Sequence, residues 1–552
     1  MGKTLFWYLF KDLVRIFLLS ALVIAGIMSF GGLLRPLTRN GLDAMQVAQM
    51  WLFLMPAMMT YSLPVAAVFA TSMVYGRLAA DNELTACRAA GIGYRSICAP
   101  ALSLGLVSAL CSLMFLGYVV PFFSYQVERV IYANVAKVIA SEIQRTHAFS
   151  PGGGKPGIFA QQAYIPPESG KDGEQIVVLR QPTIVSYRQD PDRPKLLIPS
   201  VFSLANEATL YIRQGESSDV EISGVLTKAT SFPRVLGGRP EFGIERAEFG
   251  PITYPSPLRQ NVKFMDVARL KELAASPEKA TRVKRAMKAY IEAEQRQIIY
   301  TQMAQALTTG RAEGYTIDSG EQYQILAPGA GIAAAGKDLL ITAAKGERIR
   351  IVLKRAAGRA VRTFEAAELH VNAEMDNEYK MIIYTLRMQD VLIRNGDEVV
   401  RKTEQSPQVC TTLMPQELQQ IQKRTAAEYL SANSPLVGEK RDLVREKIVS
   451  VNEVMAEMHS RASFAVSCLV LVMVGSVLGM QFRSGDFLSA FSVSVIPALF
   501  TITLVVSGMQ TAGQVSPKTL ENPIATAIIL IWLGNILAAI LAATLFWRIR
   551  RT

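Results

Sequence analysis

The 552 residues are half hydrophobic and only 19% charged, with a mean hydropathy of +0.23 and a net charge of +12. That balance excludes a disordered chain. The surplus Lys and Arg are scattered, with no basic cluster interleaved with aromatics, so no nucleic-acid partner is expected.

The apolar residues crowd into both ends. Ile16–Leu34, Trp51–Tyr75 and Ile97–Val120 form one group, and Ala462–Met480, Phe487–Met509 and Pro523–Trp547 form the other. Each approaches or exceeds the roughly 20 residues that cross a bilayer as a helix. None contains Asp, Glu, Lys or Arg. The pattern predicts a polytopic α-helical membrane protein with six transmembrane helices. The first run follows Lys3, Lys11 and Arg15 as a signal peptide would, but its core exceeds the roughly 7–15 residues of a cleaved signal, so a retained span is expected. Arg77, Arg88, Arg95, Arg483 and the basic termini put both ends and two loops in the cytoplasm by the positive-inside tendency, and the long middle outside. The expected division is 1–121 for three spans, 122–461 for an outer domain and 462–552 for the last three spans.

Between the second and third runs, residues 76–93 read as a short amphipathic helix at a membrane face. Leu78, Cys87 and Ile92 offer apolar contacts, while Arg77, Asp81, Glu83 and Arg88 stay in water. Gly91 is placed to close it in the left-handed conformation. Such a helix suits the grip of a separate ATPase, and an ordinary loop suits the composition equally well. Arg35 and Arg39, beyond the first run, read either as snorkelled anchors or as guanidinium groups capturing phosphate at headgroup depth.

After Pro121 the runs shorten. Gln175–Leu179, Thr183–Tyr187, Leu196–Pro199, Ala208–Ile212 and Val220–Val225 read as strands. Met265–Leu307 is helical in pattern, with Asp266 as a first-turn acid or cap. Strands return at Tyr323–Leu326, Leu339–Ala343, Arg348–Leu353, Glu368–Ala373 and Met381–Arg387, and Pro415–His459 reads as helix running into the fourth span. A large extracytoplasmic β-rich, jelly-roll-like domain with helical insertions is expected. Cys87, Cys98, Cys111 and Cys468 lie in or beside apolar regions, so lone Cys410 leaves the outer domain without an internal disulfide.

Catalytic chemistry is not indicated. Gly331–Asp338 comes within one residue of a P-loop, but Asp338 replaces the Ser or Thr that would ligate Mg²⁺, and strand-like segments surround it. His147, His370 and His459 are scattered, so no metal site is expected. No cofactor is implied. The spans hold no carboxylate, which argues against proton-coupled transport. Pro56, Pro64, Pro100 and Pro497 inside spans read as kinks or as packing features.

Glu-Leu-Thr-Ala-Cys-Arg-Ala-Ala-Gly-Ile at Glu83–Ile92 resembles the coupling helix of the LptF/LptG (YjgP/YjgQ) family, the permease subunits of the lipopolysaccharide-export ABC transporter. Glu457-Met458-His459-Ser460-Arg461, followed by Gly475 and Leu478-Gly479, is similar to that family's start of span four. Gly93 stands where the family usually has Ser or Thr, and Asn522 where a Trp often precedes the proline. The likeness covers roughly Leu5–Ser150 and Leu413–Arg551. It implies a β-jellyroll between spans three and four, ATPase coupling through Glu83, Arg88 and Gly91, and lipid contact through Arg35 and Arg39. It also implies a bacterial inner-membrane location with the large domain in the periplasm. The implied partners are a cytoplasmic ABC ATPase dimer, a homologous permease subunit, a periplasmic lipid-bridge protein and lipopolysaccharide or a related glycolipid. Two other readings stay open: a permease of this fold for a different lipid, and a non-transporting periplasmic scaffold or sensor.

Overall fold

The computed structural model describes residues 3–551 apart from 40–43, 133–134, 150–156, 167–173, 190–196, 215–219, 234–241, 255–260, 309–313, 320, 336, 355–359, 378–379, 396–397, 425–427, 430–435, 482–486 and 518. It divides into two compact units: Met1–Pro277 with Ile448–Thr552, and Glu278–Lys447.

Among the described residues, six helices are long and apolar enough to cross a membrane. Helix α1 (Lys3–Arg39) pairs with α2 (Ala44–Ala80); a seven-residue helix α3 (Glu83–Ala89) then leads to α4 (Tyr94–Met114). Expected to end near Pro121, the third span instead continues through a π-helical turn (Phe115–Val119) into α5 (Val120–Tyr132), and α6 (Val135–Thr146) follows. The proline explains the turn. It has no N–H for the carbonyl four residues back, and the backbone shifts register, with the Val120 N–H bonding Phe115 O five residues earlier.

The first sheet has nine antiparallel strands, β1–β9, between Ala148 and Tyr254. Its longest member, β8 (Val220–Pro233), was expected to be much shorter. One edge of β8 is shared between β7 (Glu207–Gln214) and β6 (Leu197–Leu204), and the other pairs with β9 (Phe242–Tyr254), a strand the sequence reading omits. Amphipathic α6 covers this sheet with Ile139 and Ile143, against Val177, Leu179 and Leu210.

The helical stretch after the first sheet is two helices. Asp266 caps α7 (Val267–Ala275), its Oδ1 accepting the Arg269 N–H at 2.6 Å, as the sequence predicts. The residue before a proline is driven out of helical geometry, and the helix stops at Ser276-Pro277 before α8 (Thr281–Thr308) begins.

The second unit repeats the architecture of the first sheet with eight antiparallel strands, β10–β17, between Tyr315 and Leu413. Here β15 (Ala360–Asp376) is the long strand. One edge is shared by β14 (Ile349–Lys354) and β13 (Asp338–Thr342), while β16 (Met381–Asn395) takes the other. Each sheet curls, giving the β-rich, jellyroll-like architecture expected from sequence. Tyr290, Ile299, Met303 and Leu307 of α8 fill the concavity with Phe364, Leu386 and Met388, and Leu418 of α9 (Gln416–Ile421) joins them. Strand β17 (Glu398–Leu413) escapes sequence reading because Pro407 interrupts it. Among the described residues it pairs with β16, and the register shifts opposite Ser406-Pro407, where a missing N–H is tolerated. Gly331–Ala335 and Asp338–Thr342 form an antiparallel hairpin, not the strand and helix of a P-loop.

The last three spans are α10 (Val437–Gln481), α11 (Phe487–Ala512) and α12 (Ile524–Arg551). Glycine lets them pack closely: a Cβ on Gly479 would lie 2.8 Å from Ser72 O, and one on Gly508 would lie 2.6 Å from Ala527 O.

Candidate functional sites at the two ends of the helical bundle

Helix α2 ends in Arg77-Leu78-Ala79-Ala80, with Leu78 and Ala79 buried. Asn82 makes the turn at φ 60°, a left-handed value that Asn tolerates better than most residues. Glu83 then opens α3, where a carboxylate favours the unsatisfied N–H groups of the first turn. Leu84 is the buried residue of α3, at 6% exposure, and it packs with Leu9, Leu13, Tyr75 and Ile97. Cys87 and Ile92 pack partly against the same cluster, as expected, whereas Leu78 contributes from α2 and Leu84 was not anticipated.

Gly91 has φ +77°; its N–H bonds Arg88 O at 2.9 Å, and the Ile92 N–H bonds Cys87 O at 3.0 Å. That pair of bonds is a Schellman stop, which the left-handed glycine makes possible. The result is a short helix held by one leucine, closed at a defined residue, with Glu83 and Arg88 exposed. The Arg88 guanidinium sits 4.9 Å from the centre of the Tyr94 ring, so its cation is stacked as well as hydrated. Arg77, expected only to stay in water, pairs with Asp12 at 2.5 Å and ties α2 to α1.

Arg35 and Arg39 fall in the last turns of α1, which continues to Arg39 rather than ending before them. Their side chains lie outside the described residues.

A second charged arrangement sits at the far end of the bundle, on α10. Arg461 Nε donates to Glu457 Oε1 at 2.8 Å, one turn apart, and the two side chains are 6% and 3% exposed. Arg461 Nη2 also donates to the backbone carbonyls of Val262, Lys263 and Met265 at 3.3, 3.3 and 2.7 Å. The arginine thereby fastens the chain leaving the first sheet to α10. The sequence reading began the fourth span at Ala462 and so placed this carboxylate outside it, although the i, i+4 spacing of Glu and Arg was the available signal.

Further along, His459 Nδ1 accepts the Trp532 indole N–H at 3.3 Å, and Asn535 bridges Ser463 and Ser467, so α10 and α12 share a polar seam. Asn522, standing where the resembled family often has Trp, accepts both the Ile524 N–H at 3.1 Å and the Asn452 amide at 2.8 Å. It therefore caps α12 and holds it to α10 at once.

The family model described as lipopolysaccharide export system permease LptF/LptG matches residues 7–236 and 287–548. The unmatched stretch between them holds β9 and α7. No curated protein matches the chain significantly.

Proposed function

We propose a specific role for this chain, which belongs to the LptF/LptG family of lipopolysaccharide export permeases. Members are membrane subunits of a transporter, not themselves catalytic, and work in a lipopolysaccharide export complex with other subunits. The role is that of a permease subunit in an ABC-type exporter. It extracts lipopolysaccharide or a related glycolipid from the inner membrane and passes it to a periplasmic bridge, with energy from a separate cytoplasmic ATPase dimer. A homologous permease chain completes the cavity. In this reading 1–121 and 462–552 are the membrane parts, 122–461 lies in the periplasm, and Arg35 and Arg39 meet lipid phosphate.

One observation carries the proposal: α3 is anchored by Leu84 and leaves Glu83 and Arg88 exposed. A rigid, exposed charge on a helix joining two spans can transmit a pull from a docked protein into α2 and α4. Replacing Glu83 by Ala is expected to reduce lipid-stimulated ATP hydrolysis of the reconstituted complex to its basal level, with expression unchanged. Wild-type stimulation in that variant would refute coupling at α3. Membrane-impermeant thiol labelling of Lys337→Cys in intact spheroplasts tests the orientation, and labelling only after lysis would overturn it.

The 50 residues between the two matched stretches favour a second reading, a permease of this fold that carries a different lipid. Mass spectrometry of the lipid co-purifying in mild detergent separates the two.

A further inference from the structure

A cavity of about 130 Å³ lies between α2, the π-helical turn, α10 and the 3₁₀ turn Val262–Phe264. Its polar lining is Thr60, Tyr61, Lys263, Glu457 and Ser460, and Phe464 forms an aromatic wall with Tyr61 edge-on at 5.3 Å. Glu457 and Thr60 are 2% and 3% exposed. Arg461 takes one Glu457 oxygen, but Oε2 has no hydrogen-bond partner among the described residues, and neither has Thr60 Oγ1. Pro64 adds to this polarity, since it supplies no N–H to the helix carbonyl of Thr60. Buried polar atoms in this condition are costly until a ligand meets them.

The position is that of a lipid headgroup. At 1.5 Å per residue, Thr60 lies about 30 Å along α2 from Ala80, and Glu457 lies about 36 Å along α10 from Gln481. The hydrocarbon core is about 30 Å thick. Glu457 precedes the apolar run Ala462–Met480, and Leu116, Val120 and Met509 lie at the far ends of theirs. The cavity therefore sits at the membrane boundary opposite α3, with Thr60 reaching it from within Trp51–Tyr75. This holds whichever face is cytoplasmic. The volume corresponds to about four waters at ~30 Å³ each, the size of a three-carbon polyol.

The lining selects the chemistry. An occupant must donate to Glu457 Oε2 and also satisfy Thr60, and a hydroxyl group does both. A bare anion cannot donate to a carboxylate, and a cation would meet Lys263 and Arg461. Lys263 Nζ, 3.5 Å from Tyr61 OH, offers a positive charge for a phosphodiester. We propose that this cavity binds the glycerol headgroup of an anionic phospholipid of the phosphatidylglycerol type, hydroxyls on Glu457 and Thr60 and phosphate on Lys263.

The test uses the full chain in nanodiscs, with phosphatidylglycerol, phosphatidic acid and phosphatidylcholine competing, and native mass spectrometry reading the retained lipid. Phosphatidylglycerol is expected to be retained over both others. Thr60→Val and Lys263→Gln should each weaken that preference by about tenfold, the loss of one hydrogen bond to or from a charged group. Both variants leave the Glu457–Arg461 pair intact and so keep the fold. Equal retention of phosphatidic acid would mean that charge alone binds, and equal retention of phosphatidylcholine would mean an ordinary annular lipid. Either result, or an unchanged preference in both variants, overturns the proposal.

Discussion

Two charge pairs of the first unit belong to different physical regimes. Asp12 and Arg77 meet at 2.5 Å at the α3 end of the bundle with side chains 29% and 51% exposed. Glu457 and Arg461 meet at 2.8 Å at the other end, almost fully buried, with three backbone carbonyls added to the guanidinium. The first pair is formed in near-solvent dielectric, where attraction is largely offset by side-chain ordering and screened by salt. The second is almost fully buried from bulk solvent, so its members depend on each other and on those carbonyls. The α3 end can therefore exchange partners at little cost, which suits a surface that docks and releases a protein. The other end is welded.

The strongest way to break this contrast is to remove one buried partner. Arg461→Met leaves the Glu457 charge alone in the interior and is expected to destabilise the chain by about 3–5 kcal/mol. The double variant Glu457→Gln with Arg461→Met should recover a large part of that loss, because no uncompensated charge remains. Thermal unfolding in detergent measures both. A single variant no worse than the double would show that the burial carries no such cost.

A smaller effect is expected from Leu84→Ala, at about 2–4 kcal/mol. It should appear as local loosening of α3 rather than global unfolding, since Leu84 is the one buried residue of that helix. Hydrogen exchange over residues 83–92 reads this directly. Unchanged protection there would mean that the flanking turn, with Gly91 and its two hydrogen bonds, holds α3 by itself.

The smallest effect belongs to Asp12→Asn, below about 1 kcal/mol and smaller still at high salt. A loss as large as that of Arg461→Met would erase the distinction between the two ends.

The parts of this molecule legible in one dimension are those governed by local rules. Six apolar runs, the cap at Asp266, the stop at Gly91 and the turn-bounded strands each depend on a few neighbouring residues. Strand ends were less legible. The reading cut β8 at Val225, although pairing carries it to Pro233, and it omitted β17 because Pro407 is acceptable only where the pairing geometry forgives a missing N–H. The candidate coupling residues were found through their spacing and family likeness. Leu84, which anchors their helix, was overlooked because one leucine among short polar neighbours carries no period.

By itself, the sequence determined the membrane class, the alternation of helical and strand-rich stretches and the place of the exposed turn, since hydropathy and capping act over a few residues. The tertiary structure alone decided which charges are buried. Glu457 and Arg461 look like any i, i+4 surface pair until α2, α10 and the turn at Val262–Phe264 close around them. The same closure brings Thr60 and Lys263, some 200 residues apart, to one cavity. Burial depends on the simultaneous packing of distant segments, and no local pattern records it.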